Sequence, residues 1–417
     1  MRILELTPAT EKKLLAARHA HDEQAQRVAQ RIVSDIKRHG DSALFAWTKQ
    51  LDGFAVASKT LWISQKEIRE ASRRVRPEFL RAMSQTTRNI RRVAERQLPK
   101  PWSLSVEAGV RVRQLLRPIE SVGCYVPGGR SSLVSTLLMT SIPAQVAGVP
   151  RIVVVSPKPN DEVLAAADFL GLREIARIGG AQAIAALAYG TRSVSRVEKI
   201  CGPGNKYVTA AKQLVSADCA IDLPAGPTEA IVLADRGNPE WIAADLLAQA
   251  EHAPDAGSFL VTTSRRFAVQ VSVQIDAQLR TLRPDNPAHR SLALGGAILV
   301  APSLTAACGF VNRFAPEHLS LPANEGFLLQ RIASSGTIFL GPWGAQPLGD
   351  YISGSNHVLP TAGWARRRGG LSSADFVKCI SVQEISRKGF ARLATGAEIL
   401  ATAERLQAHY NAVRIRR

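Results

Sequence analysis

Residues 151–189, RIVVVSPKPNDEVLAAADFLGLREIARIGGAQAIAALAY, contain the pattern that decides the fold. A short apolar run at 151–156 is followed by alanine-rich helical stretches at 161–170 and 181–189. The run is apolar along its length rather than at alternate positions, which is typical of a strand buried on both faces of a parallel sheet. This stretch therefore predicts an α/β architecture.

The same alternation extends toward both ends of the chain. Further strand-like runs lie at 197–201, 230–234, 259–262, 297–301 and 337–340, with helical stretches at 239–251 and 323–334. The first hundred residues have helical spacing, most clearly at 21–38 and 65–97, and the chain beyond 387 is predicted to form one amphipathic helix. Strands that alternate with helices predict a mostly parallel sheet.

Composition places the chain among globular proteins. It has 417 residues, of which 46% are hydrophobic and 21% charged, so long disorder, collagen and coiled coil are excluded as its main structure. The length predicts two or three domains. Its five cysteines are widely spaced and odd in number, with no CxxC pair, which disfavours a disulfide framework or a thiolate zinc site and favours a reducing compartment.

Two features predict a cytoplasmic protein with no membrane association. The N-terminal stretch MRILELTPATEKKLL is charged throughout and lacks the apolar region of a signal peptide. The longest uncharged stretch, 131–150, contains prolines and several polar residues, and we interpret it as a buried helix leading into a strand rather than a membrane span.

The net charge of +18 comes from 53 Lys and Arg against 35 Asp and Glu. Much of the excess lies in an arginine cluster, Arg73, Arg74, Arg76, Arg81, Arg88, Arg91, Arg92 and Arg96. Such a cluster can be an RNA-binding surface on a non-enzyme. No aromatic residues are interleaved and no nucleic-acid module surrounds it, which favours a solvated helix face.

Three histidine-containing segments are candidates for chemistry. Gln249 and His252 are three residues apart, so both can reach one ion from one helix face, although a histidine at a helix end is also a common cap. Glu317 and His318 are adjacent and can shift each other's pKa, or form a surface ion pair at a helix start. The glycine-rich segment 349–357 follows a strand, where ligands often bind in such sheets, but it can also be a long turn.

Three glycine-rich segments follow predicted strands, at 125–129, 179–182 and 202–205. Glycine allows close backbone approach, and a helix N-terminus after it favours phosphate, so these segments can bind a dinucleotide. The GxGxxG fingerprint itself is absent, and each segment alone is only a turn.

Taken together, the motifs resemble the histidinol dehydrogenase family over roughly residues 20–415. The segments that carry the resemblance are, in order, GCYVPGG, IGGAQAIAALAYGT, ICGPGN, IDLPAGPTEA, LLAQAEH, APEHL, FLGPWGAQPLGDYISGSNHVLPT and AERLQAHYNAV. The resemblance implies an oxidoreductase of histidine biosynthesis that oxidises L-histidinol to L-histidine through L-histidinaldehyde, with NAD and one zinc ion per subunit. It also implies a homodimer with a shared active site.

The resemblance implies a role for particular residues. Glu317 and His318 match the catalytic acid–base pair. The implied zinc ligands are Gln249, His252, Asp350 and His409. The implied substrate contacts are Thr228, Gln249, His252, His318, Asp350, Glu404 and His409. The implied NAD contacts are Tyr125, Gln182 and Asn205. The family usually has serine where this chain has Thr228, which keeps the hydroxyl.

The fold implied by the resemblance has two incomplete Rossmann-like domains, similar to those of aldehyde dehydrogenases, one inserted into the other. We predict an N-terminal helical segment at 1–25, a metal and substrate domain at 26–119 and 230–375, an inserted NAD-binding domain at 120–229, and a helical tail at 376–417 that crosses to the partner.

Three other functions stay open at this point. A dehydrogenase of the same fold can act on another small alcohol, such as a sulfonated diol, although a carboxylate at Glu404 suits a cationic substrate. A cysteine aldehyde dehydrogenase would use Cys201, which has no evident partner base. The third is the RNA-binding non-enzyme.

Overall fold

The structure is a computed structural model that describes residues 1–18, 22–128, 133–224, 226–323 and 326–417. Within these ranges the chain forms two parallel sheets and one small antiparallel sheet. The predicted α/β architecture with helical segments is therefore confirmed. None of the described helices is long and apolar enough to cross a membrane. Gly129 of the first glycine-rich segment lies outside the described residues.

The strands are β1 Ile3–Glu5, β2 Trp102–Glu107, β3 Val110–Pro118, β4 Ser121–Tyr125, β5 Arg151–Val155, β6 Glu174–Ala176, β7 Lys199–Cys201, β8 Ala220–Ile221, β9 Glu229–Leu233, β10 Gly257–Thr262, β11 Ala297–Val300, β12 His318–Leu321, β13 Thr337–Leu340 and β14 Val377–Ile385.

The helices are α1 Pro8–Ala17, α2 Glu23–His39, α3 Asp41–Asp52, α4 Gln65–Arg74, α5 Pro77–Gln97, α6 Val134–Val146, α7 Asp161–Phe169, α8 Gly180–Tyr189, α9 Lys206–Val215, α10 Pro239–Ala250, α11 Arg265–Leu279, α12 Ala288–Leu294, α13 Leu304–Phe314, α14 Gly326–Leu329, α15 Gln346–Tyr351, α16 Arg387–Ala403 and α17 Gln407–Arg414.

The five-stranded sheet has the order β6-β5-β4-β7-β8, and its pairings are parallel. Side chains from α2, α3, α8 and α9 cover one face, and those from α4 to α7 cover the other. Burial on both faces explains why its strands are apolar along their length. Because α2 to α5 pack on this sheet, the segment 26–97 lies against the strands of the predicted insert 120–229, although the predicted division placed it with 230–375.

The six-stranded sheet has the order β1-β11-β10-β9-β12-β13 and is also parallel. Helices α10, α11 and α12 cover one face, while α13 covers the other. The N-terminal segment, predicted as helical, contributes β1 as an edge strand beside β11. A three-residue strand is too short to show a periodicity in the sequence.

The antiparallel sheet has the order β14-β3-β2. Strand β2 is exposed at every position, so it lacks the apolar alternation by which a strand is recognised from sequence. Helix α16 contacts β14, and α17 packs on α16. The predicted helical tail 376–417 therefore begins with a strand, β14, and only its part from Arg387 onward forms the helices α16 and α17.

Three predicted helices differ in extent from the structure. The stretch 65–97 is two helices because Arg76 precedes Pro77, and a residue before proline disfavours the helical conformation. The tail helix is interrupted at Arg405, which has a left-handed φ of 58° that neither glycine nor proline signals in the sequence. Of the predicted helix 323–334, the described part is helical only over Gly326–Leu329.

Candidate active site

The candidate catalytic pair lies at the amino edge of the six-stranded sheet. Glu317 directly precedes β12, whose first residue is His318, and both are buried at 7% and 3% exposure. In register, His318 lies opposite Ala230 near the start of β9. This placement contradicts the alternative of a surface ion pair at a helix start, since the pair begins a buried strand.

A directed hydrogen-bond network connects the two strand starts. The Glu229 amide donates to Glu317 Oε2 over 3.0 Å, and the Thr228 hydroxyl donates to the same oxygen. Thr228 Oγ1 in turn accepts from Gln249 Nε2 at 2.7 Å. Thr228 therefore touches both the catalytic candidate and one candidate metal ligand.

Burial sets the charge of the pair. It raises the pKa of Glu317 to about 8, since the low-polarity interior disfavours the carboxylate. It lowers the pKa of His318 to about 3 for the corresponding reason, so the imidazole is neutral. Nδ1 of His318 lies 3.8 Å from Glu317 Oε2, and Nε2 of the same ring lies 3.7 Å from Asp350 Oδ1. A neutral imidazole between two carboxyl groups can accept a proton, because either carboxylate would stabilise the resulting cation.

Two helices bring three of the four candidate metal ligands together. Gln249 and His252 come from the end of α10 and the residue after its cap, and Asp350 comes from α15. His252 Nε2 lies 3.9 Å from Asp350 Oδ2. The segment 349–357 follows β13 in sequence, but it returns to the amino edge of the sheet, where Asp350 meets His318. The expectation of a site at the carboxyl ends of these strands is therefore wrong for this sheet.

These donors fit a zinc ion in distance and in chemistry. Zinc bonds to nitrogen and oxygen ligands are about 2.0–2.2 Å long, so two ligands of one ion can be separated by up to about 4.2 Å. The 3.9 Å between His252 and Asp350 is within this limit. No group of three His, Cys, Asp or Glu side chains within the described ranges could hold a metal.

The structure does not bring Glu404 and His409 to this cluster. Glu404 ends α16 and His409 lies on α17, and both are exposed. In the part of the chain that is described, neither side chain makes a hydrogen bond or ion pair to the candidate ligands. The tail also exposes large apolar side chains: Ile399 is 63% exposed and Ile415 is 84% exposed.

The three candidate NAD contacts lie at the carboxyl edge of the five-stranded sheet. Tyr125 ends β4, Gln182 is in the first turn of α8, and Asn205 caps α9 after β7. The Tyr125 hydroxyl accepts a hydrogen bond from the Gly180 amide at 3.1 Å. At Gly202, whose φ is 116°, a Cβ would lie 2.2 Å from the Tyr125 carbonyl oxygen, so only glycine permits this approach.

This edge fits a dinucleotide. The chain passes from β4 to β5 and β6 on one side and then to β7 and β8 on the other, so the strand order reverses between β4 and β7. Such a reversal leaves a crevice outside the carboxyl ends of the strands. Gln182 Nε2 donates to Asp52 at 3.1 Å, while its buried Oε1 has no partner in the described residues. That amide oxygen can accept a hydrogen bond from a ligand.

The two edges adjoin each other. Residues 222–224 follow the carboxyl end of β8, and residues 226–228 precede the amino end of β9. The segment after α15 also reaches the helices of the five-stranded sheet, since Asn356 Nδ2 donates to the Met139 carbonyl at 2.7 Å and Asn89 Nδ2 donates to the Ile352 carbonyl at 2.8 Å. A cofactor at one edge would therefore face the cluster at the other.

Sequence reasoning missed Gln346 at this site, whereas His357 lies in the segment 349–357 that the sequence singled out. Gln346, which is 2% exposed, donates from Nε2 to Gln249 Oε1. His357 Nδ1 lies 2.9 Å from the Asp350 carbonyl oxygen, and burial lowers its pKa to about 4. The signal for Gln346 was its spacing of four residues from Asp350 on one helix, which places both on one face.

Two of the alternatives can be judged from the structure. Cys201 is fully buried beside Cys124, with 3.8 Å between their sulfurs, and this neighbour together with burial raises the pKa of Cys201. It is therefore a thiol rather than an activated thiolate. In the arginine cluster, Arg74 pairs with Asp161 and Arg81 with Glu78, as expected of a solvated helix face.

Comparison with known proteins assigns the family. The model of the histidinol dehydrogenase family matches residues 15–417. The chain belongs to the histidinol dehydrogenase family. Members of this oxidoreductase family include the histidinol dehydrogenase of Halalkalibacterium halodurans, 46% identical over 400 residues, which are 94% of this chain and 93% of that one. The histidinol dehydrogenase of Vibrio parahaemolyticus is 44% identical over 391 residues, covering 92% and 90% of the two chains.

Solved structures of the histidinol dehydrogenase family agree with this fold. The crystal structure of histidinol dehydrogenase from Elizabethkingia anophelis superposes with a TM-score of 0.93 at 37% identity, covering 100% of this chain and 98% of that one. An aldehyde dehydrogenase of Pseudomonas aeruginosa has a TM-score of 0.50 at 11% identity over 91% and 89% of the chains, which is similarity of fold alone.

Proposed function

We propose that this chain catalyses the NAD-dependent oxidation of L-histidinol to L-histidine through L-histidinaldehyde, the last step of histidine biosynthesis. The observation that carries the proposal is the buried Glu317–His318 pair, which lies beside Asp350 and next to the glycine-lined edge of the five-stranded sheet. Family membership supports this substrate and reaction. We place the protein in the cytoplasm, since the five cysteines in the described residues are free.

The chain's own residues divide into binding and proton-transfer groups. Gln249, His252 and Asp350 would hold zinc together with His409, and Tyr125, Gln182 and Asn205 would contact NAD. Bound zinc would hold the amino and imidazole nitrogens of the substrate, and bound NAD would accept hydride. Thr228 would contact the substrate through its hydroxyl.

His318 serves as the base for the alcohol. It accepts the hydroxyl proton of L-histidinol while the hydrogen on the adjacent carbon leaves as hydride, which yields the aldehyde. Glu317 then accepts a proton from water as the water oxygen bonds to the aldehyde carbon. The hydrate loses a second hydride and becomes the carboxylic acid. One L-histidinol, two NAD⁺ and one water thus give one L-histidine anion, two NADH and three protons.

We further propose a homodimer in which the tail of one subunit completes the site of the other. Glu404 and His409 are separated from the cluster within one chain, and the tail exposes Ile399, Leu400 and Ile415. Exposed apolar side chains on a terminal helix indicate a surface that is covered in the assembled protein. Glu404 would then accept a hydrogen bond from an N–H group of the substrate.

The test is a count of NADH per substrate. The purified protein, supplied with NAD⁺ and a limiting amount of L-histidinol, should form about two NADH per molecule of substrate, as two hydride transfers require. A sulfonated propanediol serves as the comparison alcohol. One NADH per L-histidinol, or faster oxidation of the sulfonated diol, would overturn the proposal.

A further inference from the structure

Helices α10 and α15 contact each other through a ladder of polar side chains. The backbone amide of Gln346 donates to the Asp245 carboxylate, and the Gln346 side-chain amide donates to Gln249 Oε1. One turn further along both helices, His252 lies 3.9 Å from Asp350. Residues four apart on a helix share a face, so Asp245 and Gln249 meet Gln346 from one side.

The ladder continues into the proposed catalytic pair with a defined direction. Gln249 is fully buried, donates from Nε2 to Thr228 Oγ1, and so leaves its oxygen to the Gln346 amide. The Thr228 hydroxyl has one hydrogen, which it donates to Glu317. The sequence of donors is therefore Gln346, Gln249, Thr228, with Glu317 as the final acceptor.

Gln346 decides this direction. Among the described residues, its NH₂ group donates to the oxygen of the Gln249 amide. If the Gln249 amide were turned over, two NH₂ groups would oppose each other, and Thr228 would face an oxygen and turn its hydrogen away from Glu317. A carbonyl oxygen has two lone pairs, so the Gln249 oxygen that accepts from Gln346 keeps one for a cation.

We propose that Gln346 is a positioning residue that orients the Gln249 amide, and thereby both presents an oxygen to the metal and holds Thr228 toward Glu317. This inference rests on the proposed function, because it assumes that Gln249 is a zinc ligand. Partners that orient a metal ligand typically change metal affinity by about 10–100-fold when they are removed.

The inference is tested by the zinc affinity of Gln346→Met. This affinity is measured on the full chain by competition with a chromogenic chelator. Methionine has nearly the same length and volume but donates no hydrogen bond. The matched control is Gln278→Met, since Gln278 on α11 donates to the Glu240 carbonyl of α10 at 2.8 Å, far along the helix from Gln249. We expect the zinc Kd to rise about 10–100-fold in Gln346→Met and to stay at the wild-type value in Gln278→Met.

A second variant keeps the test decisive if Gln346→Met does not fold. Gln346→Asn keeps an amide but is one methylene shorter, so it cannot reach Gln249, and it should also weaken zinc binding. The melting temperature of each zinc-free protein separates loss of affinity from loss of folding. Wild-type zinc affinity in folded Gln346→Met or Gln346→Asn overturns the role of Gln346 and leaves the proposed function standing. A wild-type chain that binds no zinc overturns the proposed metal, and the role of Gln346 falls with it.

Discussion

Burial disfavours the charged form of both Glu317 and His318. It therefore raises the pKa of the carboxyl group and lowers the pKa of the imidazole. The carboxyl group is kept protonated up to about pH 8, whereas the imidazole is kept neutral down to about pH 3. A base is useful only in its unprotonated form. His318 is therefore unprotonated across the physiological range, while the Glu317 carboxylate forms only as the pH rises.

The water-dependent step should show this difference. Oxidation of L-histidinaldehyde by the wild type is expected to accelerate as the pH rises from 6 to 9, because the Glu317 carboxylate forms near pH 8. Glu317→Gln has no such base, so its aldehyde oxidation should be slower by about 10²–10⁴-fold and should lose that pH dependence. Single-turnover NADH formation from the aldehyde measures both effects. Equal rates for the two proteins at pH 9 would exclude water activation by Glu317.

At the scale of elements, helix ends supply the polar groups on both sheet edges. Asn205 Oδ1 caps α9 by accepting from the amides of Tyr207 and Val208, at 3.0 and 3.1 Å. A capped helix N-terminus still carries partial positive charge, which favours phosphate. Asn238 caps α10 in the same way, at the opposite end from Gln249.

Asn205→Asp separates capping from cofactor binding. Aspartate caps a helix as well as asparagine, so the melting temperature should change little. The added charge would repel the NAD phosphates and should raise the KM for NAD by about tenfold, a cost on the order of 1.4 kcal/mol. The matched control, Asn238→Asp, places the same charge on the cap of α10 and should leave that KM unchanged. An unaltered KM in Asn205→Asp would place the pyrophosphate elsewhere.

At the scale of the molecule, the candidate ligand cluster lies apart from helices α16 and α17, which expose apolar side chains. The ligand cluster has Gln249, His252 and Asp350, whereas His409 stands on an exposed helix. Termini usually fray unless they are docked, and the tail contacts its own chain mainly at β14. Exchange of tails between two subunits would both complete the site and cover the apolar side chains.

Subunit mixing should reveal such an exchange. His252→Ala and His409→Ala proteins are each expected to be inactive, because each site lacks a nitrogen ligand. A mixed dimer would contain one site with both defects and one with neither, so mixing and refolding them together should restore up to about a quarter of wild-type activity. Two differently tagged chains confirm that mixed dimers form. Mixed dimers without activity would show that each tail serves its own subunit.

Local sequence determined much of this protein. The apolar runs predicted six strands of the two parallel sheets, because a strand buried on both faces must be apolar along its length. They are β5, β7, β9, β10, β11 and β13, whereas β1, β4, β6, β8 and β12 were not predicted. The glycine-rich segments after β4 and β7 were recognised from their composition. Glycine is required at Gly202, because its backbone conformation and its close approach to another strand exclude a Cβ. The candidate residues Gln249, Glu317, His318 and Asp350 were also identified from their segments.

Tertiary structure alone decided where these residues meet. Gln249 and Gln346 are 97 positions apart, and no periodicity shows that α10 will face α15. The local sequence of β12 does not distinguish a buried strand from a surface segment. Only the pairing of β12 with β9 and β13 places Glu317 and His318 at a buried amino edge. Local patterns determine which face of an element is buried, but the partner that buries it is selected by packing over the whole chain.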